Sequence, residues 1–487
     1  MTALAEQVAD LAAGEARRLV RTAAGLLQHG HPHGDPHGDE QGEQRGDGHG
    51  GRDEDRGVLE SIERAAQHTA AQIGLAAIAG VLDRAGAHTP ARVPCPGAEG
   101  ADTGHHARLV ARRPRTVRTL LGAVDLVRGY YHCGACRRGF APLDTRLGVA
   151  GSSLSPGLAR AAALAGAEMP YAKSVEFIGT VTGLHLASTS TLARTTRAQG
   201  ARARDLIDAE QRAATSMPRP VPAAEQGDGM GLCYLVMDGT GAPMLPRECH
   251  GRAGKDGGRA GTREVKIGCL FTQSGLDPAT SDPVQDPGSV SYISTFEPAA
   301  LFATQAKAEY HRRGFDQIRQ PIVLGDGAHW IWNIADQHFP HATQIVDYFH
   351  AREHLADLTK LLTPTLSDPA GFEQHLIDAL DLGDTDAIAA AVEKLDLPAR
   401  APDLAKPAAT EVGYFTGNHH RMQYADFRAN GYYIGSGPVE SACNTIVKQR
   451  AKRAGMHWTI AGLDPVLALR TLHHSRRDQI LWATPQT

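Results

Sequence analysis

The stretch that decides the fold is PIVLGDGAHWIW, Pro321 to Trp332. An apolar run, Ile322-Val323-Leu324, leads straight into Gly325-Asp326-Gly327, and a helix signal follows at once. A short continuous apolar run closed by turn residues reads as a strand buried on both faces. Its last act is to deliver a carboxylate between two glycines, at a point where the chain has to turn sharply.

Working outward from Asp326, the upstream sequence holds three more strand-like runs: LCYLVMDG, REVKIGCLFTQ and SVSYISTFE. Glycine-rich turns separate them, which suits an antiparallel meander. The first turn, HGRAGKDGGRAG, is long and basic. A helix follows, PAALFATQAKAEYHRRG, with Pro298 in its first turn and Gly314 as its stop. Downstream come the helix AHWIWNIADQHF and a fifth strand, TQIVDYFH. Residues 351–432 read as an all-helical stretch, and 433–480 as final helices opening on PVESACNTIVKQRAKRAG with Pro438 near the start. The order β-β-β-α-β-α-β, helical stretch, α is that of a ribonuclease-H-like α/β core (230–350), a mixed five-stranded sheet with helices, carrying an insertion before its last helix. The expected fold class is therefore α+β and multidomain.

In such a sheet the first and fourth strands lie side by side. Asp238 ends the first and Asp326 the fourth, and the final helix would bring Glu440 across the same edge. Three carboxylates so placed raise one another's pKa unless a cation joins them. Hard divalent ions, two Mg2+ or Mn2+, suit that donor set and serve phosphodiester chemistry. On this reading the glycines flanking Asp326 leave room for metal and phosphate. Asp347, His329 and Asn444 are candidates for supporting or substrate-side contacts. Lys448, Arg450, Lys452 and Arg453 form a basic row running out from Glu440, suited to the strand being cut. Arg421, Tyr424 and Phe427, in NHHRMQYADFR, are candidates for stacking on splayed bases.

The blocks YYHCGACRRGFAPLD, MDGTGAP, VLGDGAHWIW, VDYFHAREHL, GYFTGN, GYYIGSGPVESACN and VKQRAKRAGMHW resemble those of bacterial insertion-sequence transposases of the DDE, ribonuclease-H-like superfamily, specifically the ISKra group. The resemblance runs from about 90 to 480. It implies Asp238, Asp326 and Glu440 as a catalytic, metal-binding triad. It also implies double-stranded DNA as partner, at the element's terminal repeats and at the target, and a homo-oligomer, at least a dimer, assembled on it.

The N-terminal part divides into a helix (1–27), a His-, Gly- and Asp-rich linker (28–57) that cannot form a core, a second helix (58–89), a basic zinc-ribbon-like segment (90–147) and helix-turn-helix-like helices (150–215). In the ribbon, Cys133-x-x-Cys136 is half of a zinc knuckle. Cys95 is the candidate third thiolate and His105 or His106 the candidate fourth ligand of a structural zinc ion, a degenerate metal-free ribbon being the alternative. The family's segment usually opens on two close cysteines, where this chain has Cys95 alone. Arg108, Arg112, Arg113, Arg115, Arg118, Arg128, Arg137 and Arg138 surround the ribbon against one acid, Asp125. Such a density favours contact with DNA phosphates.

Two other functions compete with DNA cleavage. One is a DNA-binding regulator or inactive domesticated copy. The other is a zinc metalloprotease built on His350-x-x-Glu353-His354. The bulk numbers bound the rest. The 487 residues suffice for several cores, and a net charge of −4 gives no overall hint of nucleic acid, so any such partner must rest on local patches. Seven cysteines in a chain this long do not make a disulfide scaffold. No apolar run reaches the roughly 20 residues of a membrane span, and the N-terminus lacks a secretory pattern, so a cytoplasmic protein is expected.

Overall fold

A computed structural model of the chain describes residues 51–97, 104–216, 231–254 and 257–482, with scattered helical positions between 10 and 21. The expected helix over 1–27 and the histidines of the linker fall largely outside the described residues. The end of the expected linker is helical: α1 spans Gly51–Ala87. The chain divides into two compact units, residues 1–196 and 197–487, taken separately below.

In the first unit, β1 (Arg92–Pro94), β2 (His106–Thr119), β3 (Gly122–Cys133) and β4 (Arg138–Phe140) form an antiparallel sheet in chain order. Alternation in β3 turns Val124 and Leu126 inward and leaves Asp125 outside. Helix α1 lays Leu75, Ile78 and Leu82 on Val117, Val124 and Leu126. Each such side chain removed from water contributes about 1.5–3 kcal/mol. The Leu59–Ala87 part of α1 is, by length and composition, apolar enough to cross a membrane (mean hydropathy 1.2). It is the one such helix among the described residues. Beyond the sheet come α2 (Pro142–Arg146), α3 (Pro156–Glu168), α4 (Tyr171–Thr182) and α5 (Thr189–Ser216). Leu158, Ala162, Ile178 and Leu192 pack the last three around a small core. The Ser155 hydroxyl caps α3, and Gly183 in the left-handed region (φ 67°) stops α4.

The second unit is built on a mixed five-stranded sheet. Its strands are β5 (Leu232–Pro243), β6 (Thr262–Gln273), β9 (Ser291–Thr295), β10 (Gln320–Gly325) and β11 (Thr343–Val346), with a small ribbon of β7 (Gly275–Leu276) and β8 (Pro283–Val284) outside it. The order across the sheet is β11-β10-β5-β6-β9. The β11, β10 and β5 strands run parallel, while β5, β6 and β9 are antiparallel. Ile322, Val323 and Leu324 are buried on both faces, as their unbroken apolar run requires. Helices α6 (Ala299–Arg312) and α7 (His329–His338) flank β10 in sequence. The region after β11 is helical: α8 (Tyr348–Leu362), α9 (Pro369–Leu382), α10 (Thr385–Glu393), α11 (Leu397–Arg400), α12 (Pro402–Gly417) and α13 (Tyr424–Ala429). Then α14 (Gly437–Ala442) passes into a π-helical turn, Cys443–Lys448, and packs on β5 and β6.

Candidate active site

Register fixes the first two carboxylates. Gly325 pairs with Met237 in the parallel β10–β5 ladder, so Asp326 and Asp238 each stand one residue past a paired position, on neighbouring strands. Asp238 stays within β5, whose antiparallel pairing with β6 continues to Pro243. Its Oδ1 accepts the Gly239 N–H at 2.6 Å and its Oδ2 accepts the Cys443 thiol at 3.2 Å. Burial raises the Asp238 carboxyl above the ordinary range. The two hydrogen bonds pull it back, the Asp326 charge adds to the rise, and Lys448 opposes it. The same burial and the Asp238 charge push the Cys443 thiol up, so it donates to Asp238 as a neutral S–H.

Asp326 opens α7: its Oδ1 accepts the Ala328 N–H at 2.9 Å, and its carbonyl accepts the Tyr414 hydroxyl at 3.1 Å. The flanking glycines have steric reasons other than the expected room for metal and phosphate. A Cβ on Gly325 would sit 2.7 Å from Ile331 Cδ1. Gly327 has φ +100°, and a Cβ there would sit 2.6 Å from Tyr414 Cε2. The space beside Gly327 is filled by the tyrosine ring. That ring stacks on His354 (centroids 3.9 Å apart), and His354 Nδ1 lies 2.8 Å from Glu411 Oε2. Tyr414, His354 and Glu411 thus back the Asp326 turn from the helical region. The sequence reading had no role for Tyr414; its one signal was its place in the block GYFTGN.

Glu440 is exposed, on α14. It precedes Cys443 by three residues, which makes the two neighbours on the helix surface, and Cys443 touches Asp238. The start of α14 is held by Asp347, only 1 % exposed. Asp347 Oδ2 accepts the Ser436 N–H at 2.5 Å, its Oδ1 caps α8 through the His350 N–H at 2.9 Å, and its own N–H donates to the Gly325 carbonyl at 2.8 Å. One residue therefore ties the end of β10, through its backbone N–H, to the start of the helix bearing Glu440, through its carboxylate. The Ser436 hydroxyl reaches Glu440 Oε1 at 3.5 Å. His329 and Asn444 are exposed, on α7 and on the π turn.

The π turn alters the helix face. In an α-helix, residues eight apart are about 80° out of line. Bonding from i to i+5 widens the turn and brings Lys448 back toward the Glu440 face. Arg470, fully buried, donates to the carbonyls of Thr445 (3.1 Å) and Ile446 (3.0 Å) within that turn. Lys448, Lys452 and Arg453 are exposed, and Lys452 Nζ donates to Thr240 Oγ1 at 2.9 Å. Arg450 leaves the expected row: it is 1 % exposed, with its guanidinium 4.8 Å from the Trp458 ring centre. Tyr424 and Phe427 are likewise core residues, 0 % and 7 % exposed, and Arg421 lies over Trp332, so the expected stacking group is not a surface.

Among the described residues, one group of three or more His, Cys, Asp or Glu has ligand atoms all within 4.8 Å of one another: Cys95, Cys133 and Cys136. Asp238, Asp326 and Glu440 are set wider apart than that. So are His350, Glu353 and His354, whose histidines pair with different carboxylates, His350 with Glu353 and His354 with Glu411. The H-x-x-E-H side chains are not among the clustered ligand groups of the described residues, although the His350 and His354 ring centroids lie 5.2 Å apart.

In the first unit, β1, β3 and the turn after β3 converge the three cysteines. His105 Nδ1 lies 3.3 Å from Cys136 Sγ. The Cys136 N–H donates to Cys133 Sγ (3.5 Å), which lowers the Cys133 thiol, while burial and the neighbouring thiols push Cys136 up to about 11. Three soft thiols and one imidazole are the donor set of a closed tetrahedral site. Of the arginines, Arg112, Arg113, Arg137 and Arg138 are exposed, with Arg113 over the Tyr130 ring and Arg138 donating to the Gly97 carbonyl. Arg115 is not free for DNA: it pairs at 2.5 Å with Asp144, itself 7 % exposed, and Arg128 pairs with the same carboxylate at 2.9 Å.

No family model matches the chain, and no curated protein matches it.

Proposed function

We propose that this chain is a DDE-type transposase with a ribonuclease-H-like core, of the ISKra group that its sequence blocks resemble. The observation that carries the reading is the placement of Asp238 and Asp326 one step past the Met237–Gly325 pair on adjacent parallel strands, with the Glu440 helix packed on the same strand. The Asp238 carboxyl is raised first by burial and further by the Asp326 charge, against the pull of its two hydrogen bonds and Lys448, as a perturbed group at a candidate site. A hard divalent cation fits three carboxylates, and two Mg2+ or Mn2+ ions there would supply an activated oxygen nucleophile and a stabilised leaving oxygen.

The chain's own residues do the rest. Asp347 and Ser436 hold the Glu440 helix against the end of β10, and Tyr414 holds the Asp326 turn. Lys448 and Lys452 offer charge to the phosphates of the strand being cut. Water attacks the phosphodiester at the element end, the bond to the 3′ oxygen breaks to leave a 5′-phosphate, and the freed 3′-hydroxyl then attacks a target phosphodiester in line, losing its proton and displacing the target's own 3′ oxygen, which leaves as a hydroxyl. In the first unit, Cys95, Cys133, Cys136 and His105 would hold a structural zinc ion, and the exposed arginines of the sheet would contact the terminal repeats as a dimer or larger assembly engages both ends.

The substitution Glu440→Gln tests the reading. It removes one carboxylate and no cation, so cleavage of a duplex carrying the terminal repeats should vanish while binding persists. Undiminished nicking by that variant would sink the assignment.

A further inference from the structure

The helix that carries Glu440 changes its winding at Cys443, and the change leaves an imbalance in the backbone. The Gln449 N–H reaches back five residues to the Asn444 carbonyl, whereas the Lys452 N–H reaches back four, to the Lys448 carbonyl at 3.0 Å. Between those two bonds lie three carbonyls, of Thr445, Ile446 and Val447, and two amides, of Arg450 and Ala451. One carbonyl is therefore surplus to the helix, and leaving it without a donor beside the buried Ile446 and Val447 would cost free energy. Arg470, wholly buried, reaches this point from the helix Ile460–His474. Its Nε donates to the carbonyls of Thr445 (3.1 Å) and Ile446 (3.0 Å), and its Nη2 donates to Thr445 again.

The winding decides where the cations stand. An α-helix advances about 100° per residue, and i to i+5 bonding about 82°. With the π turn, Asn444, Lys448 and Lys452 lie about 20°, −10° and 30° around the axis from Glu440. In an unbroken α-helix they would drift to about 40°, 80° and 120°. The helix is also tied to β5 on both sides of the turn: Cys443 donates to Asp238 at 3.2 Å, and Lys452 Nζ donates to Thr240 Oγ1 at 2.9 Å.

We propose that Arg470 is a positioning residue: by donating to the carbonyls that the helix leaves over, it sustains the π turn, and the π turn lines Lys448 and Lys452 up behind Glu440 to hold phosphates of the strand being cut. This rests on the DNA-cleaving reading above. Arg470 itself is buried away from any DNA and acts through the two lysines.

The experiment uses the full chain and a duplex carrying the terminal repeats. Binding is read as the slope of log K against log salt, and cleavage as kcat and KM. Arg470→Met keeps an unbranched side chain without a donor. It should lower the salt slope by about 2, the share of two lysines, and slow cleavage at saturating DNA. Arg470→Lys, which keeps a cationic donor, should recover part of both. The decisive variant adds deletion of Thr445 to Arg470→Met. Taking one residue out of a π turn leaves an unbroken α-helix, in which the two lysines stand seven and eleven residues past Glu440, within about 20° of its line. Slope and cleavage should then return, which a general folding defect in Arg470→Met would not allow. An unchanged slope in Arg470→Met overturns the proposal, as does a double variant no better than the single one. Absence of cleavage by the unaltered chain with Mg2+ and with Mn2+ overturns the catalytic reading instead, and the binding slopes still decide the role of Arg470.

Discussion

Replacing Gly327 by alanine should be among the most damaging single-methyl changes in this protein. Two costs combine. An L-residue at φ +100° leaves the allowed regions, at about 1–2 kcal/mol or more. The new Cβ would also meet Tyr414 at 2.6 Å and 3.0 Å, and forcing such an atom into a packed site costs about 1–3 kcal/mol. The tyrosine cannot swing aside without giving up its hydrogen bond to Asp326 and its stack on His354. Together these give about 2–5 kcal/mol for Gly327→Ala. Urea unfolding read by tryptophan fluorescence is the assay, because Trp330, Trp332, Trp458 and Trp482 all belong to the second unit. In a Tyr414→Ala background the steric part disappears and the cost should fall to about 1–2 kcal/mol. An equal cost in both backgrounds, or no cost in either, would refute the steric account of the Asp326 turn.

Cys133→Ser should abolish zinc binding and lower the melting temperature of the first unit, and elemental analysis of the unaltered chain should find one zinc ion per chain. A metal-free, fully folded protein would contradict the Cys3His site. Lys452→Ala should weaken DNA binding evenly across sequences and lower the salt slope by about 1. Arg450→Ala should instead destabilise the second unit by about 2 kcal/mol or more, since it removes a desolvated cation from the Trp458 face. A stable Arg450→Ala protein with a reduced salt slope would put Arg450 back on the DNA.

Much of the core was legible because strand burial leaves a direct mark on sequence. The runs around Val236 and Val323 are apolar without alternation, and the structure buries both on two faces in parallel pairing. The order of elements also implies neighbouring strands for Asp238 and Asp326, and the parallel β10–β5 pairing bears this out. The cysteine cluster was legible from spacing, and the structure places His105, one of the two candidate histidines, beside Cys136. What failed was the sorting of cations and aromatics into surface and core. Arg115, Arg450, Tyr424 and Phe427 look like surface chemistry in a one-dimensional string. Their partners, Asp144, Trp458 and Val346, come from other elements and carry no local signal. The Tyr414–Asp326 contact spans 88 residues of chain for the same reason. The π turn after Glu440 was not legible either, and the Arg470 guanidinium that meets its carbonyls comes from two dozen residues downstream.

Strand cleavage by the purified full chain tests the central claim most directly. The substrate is a duplex carrying the repeats that flank the reading frame, with Mg2+, Mn2+ or EDTA, and the unaltered protein is compared with Asp326→Asn. The account predicts metal-dependent cutting at the repeat end, absent with EDTA and lost in the variant although DNA is still bound. Binding without cleavage under either metal, or cleavage that survives Asp326→Asn, would contradict it.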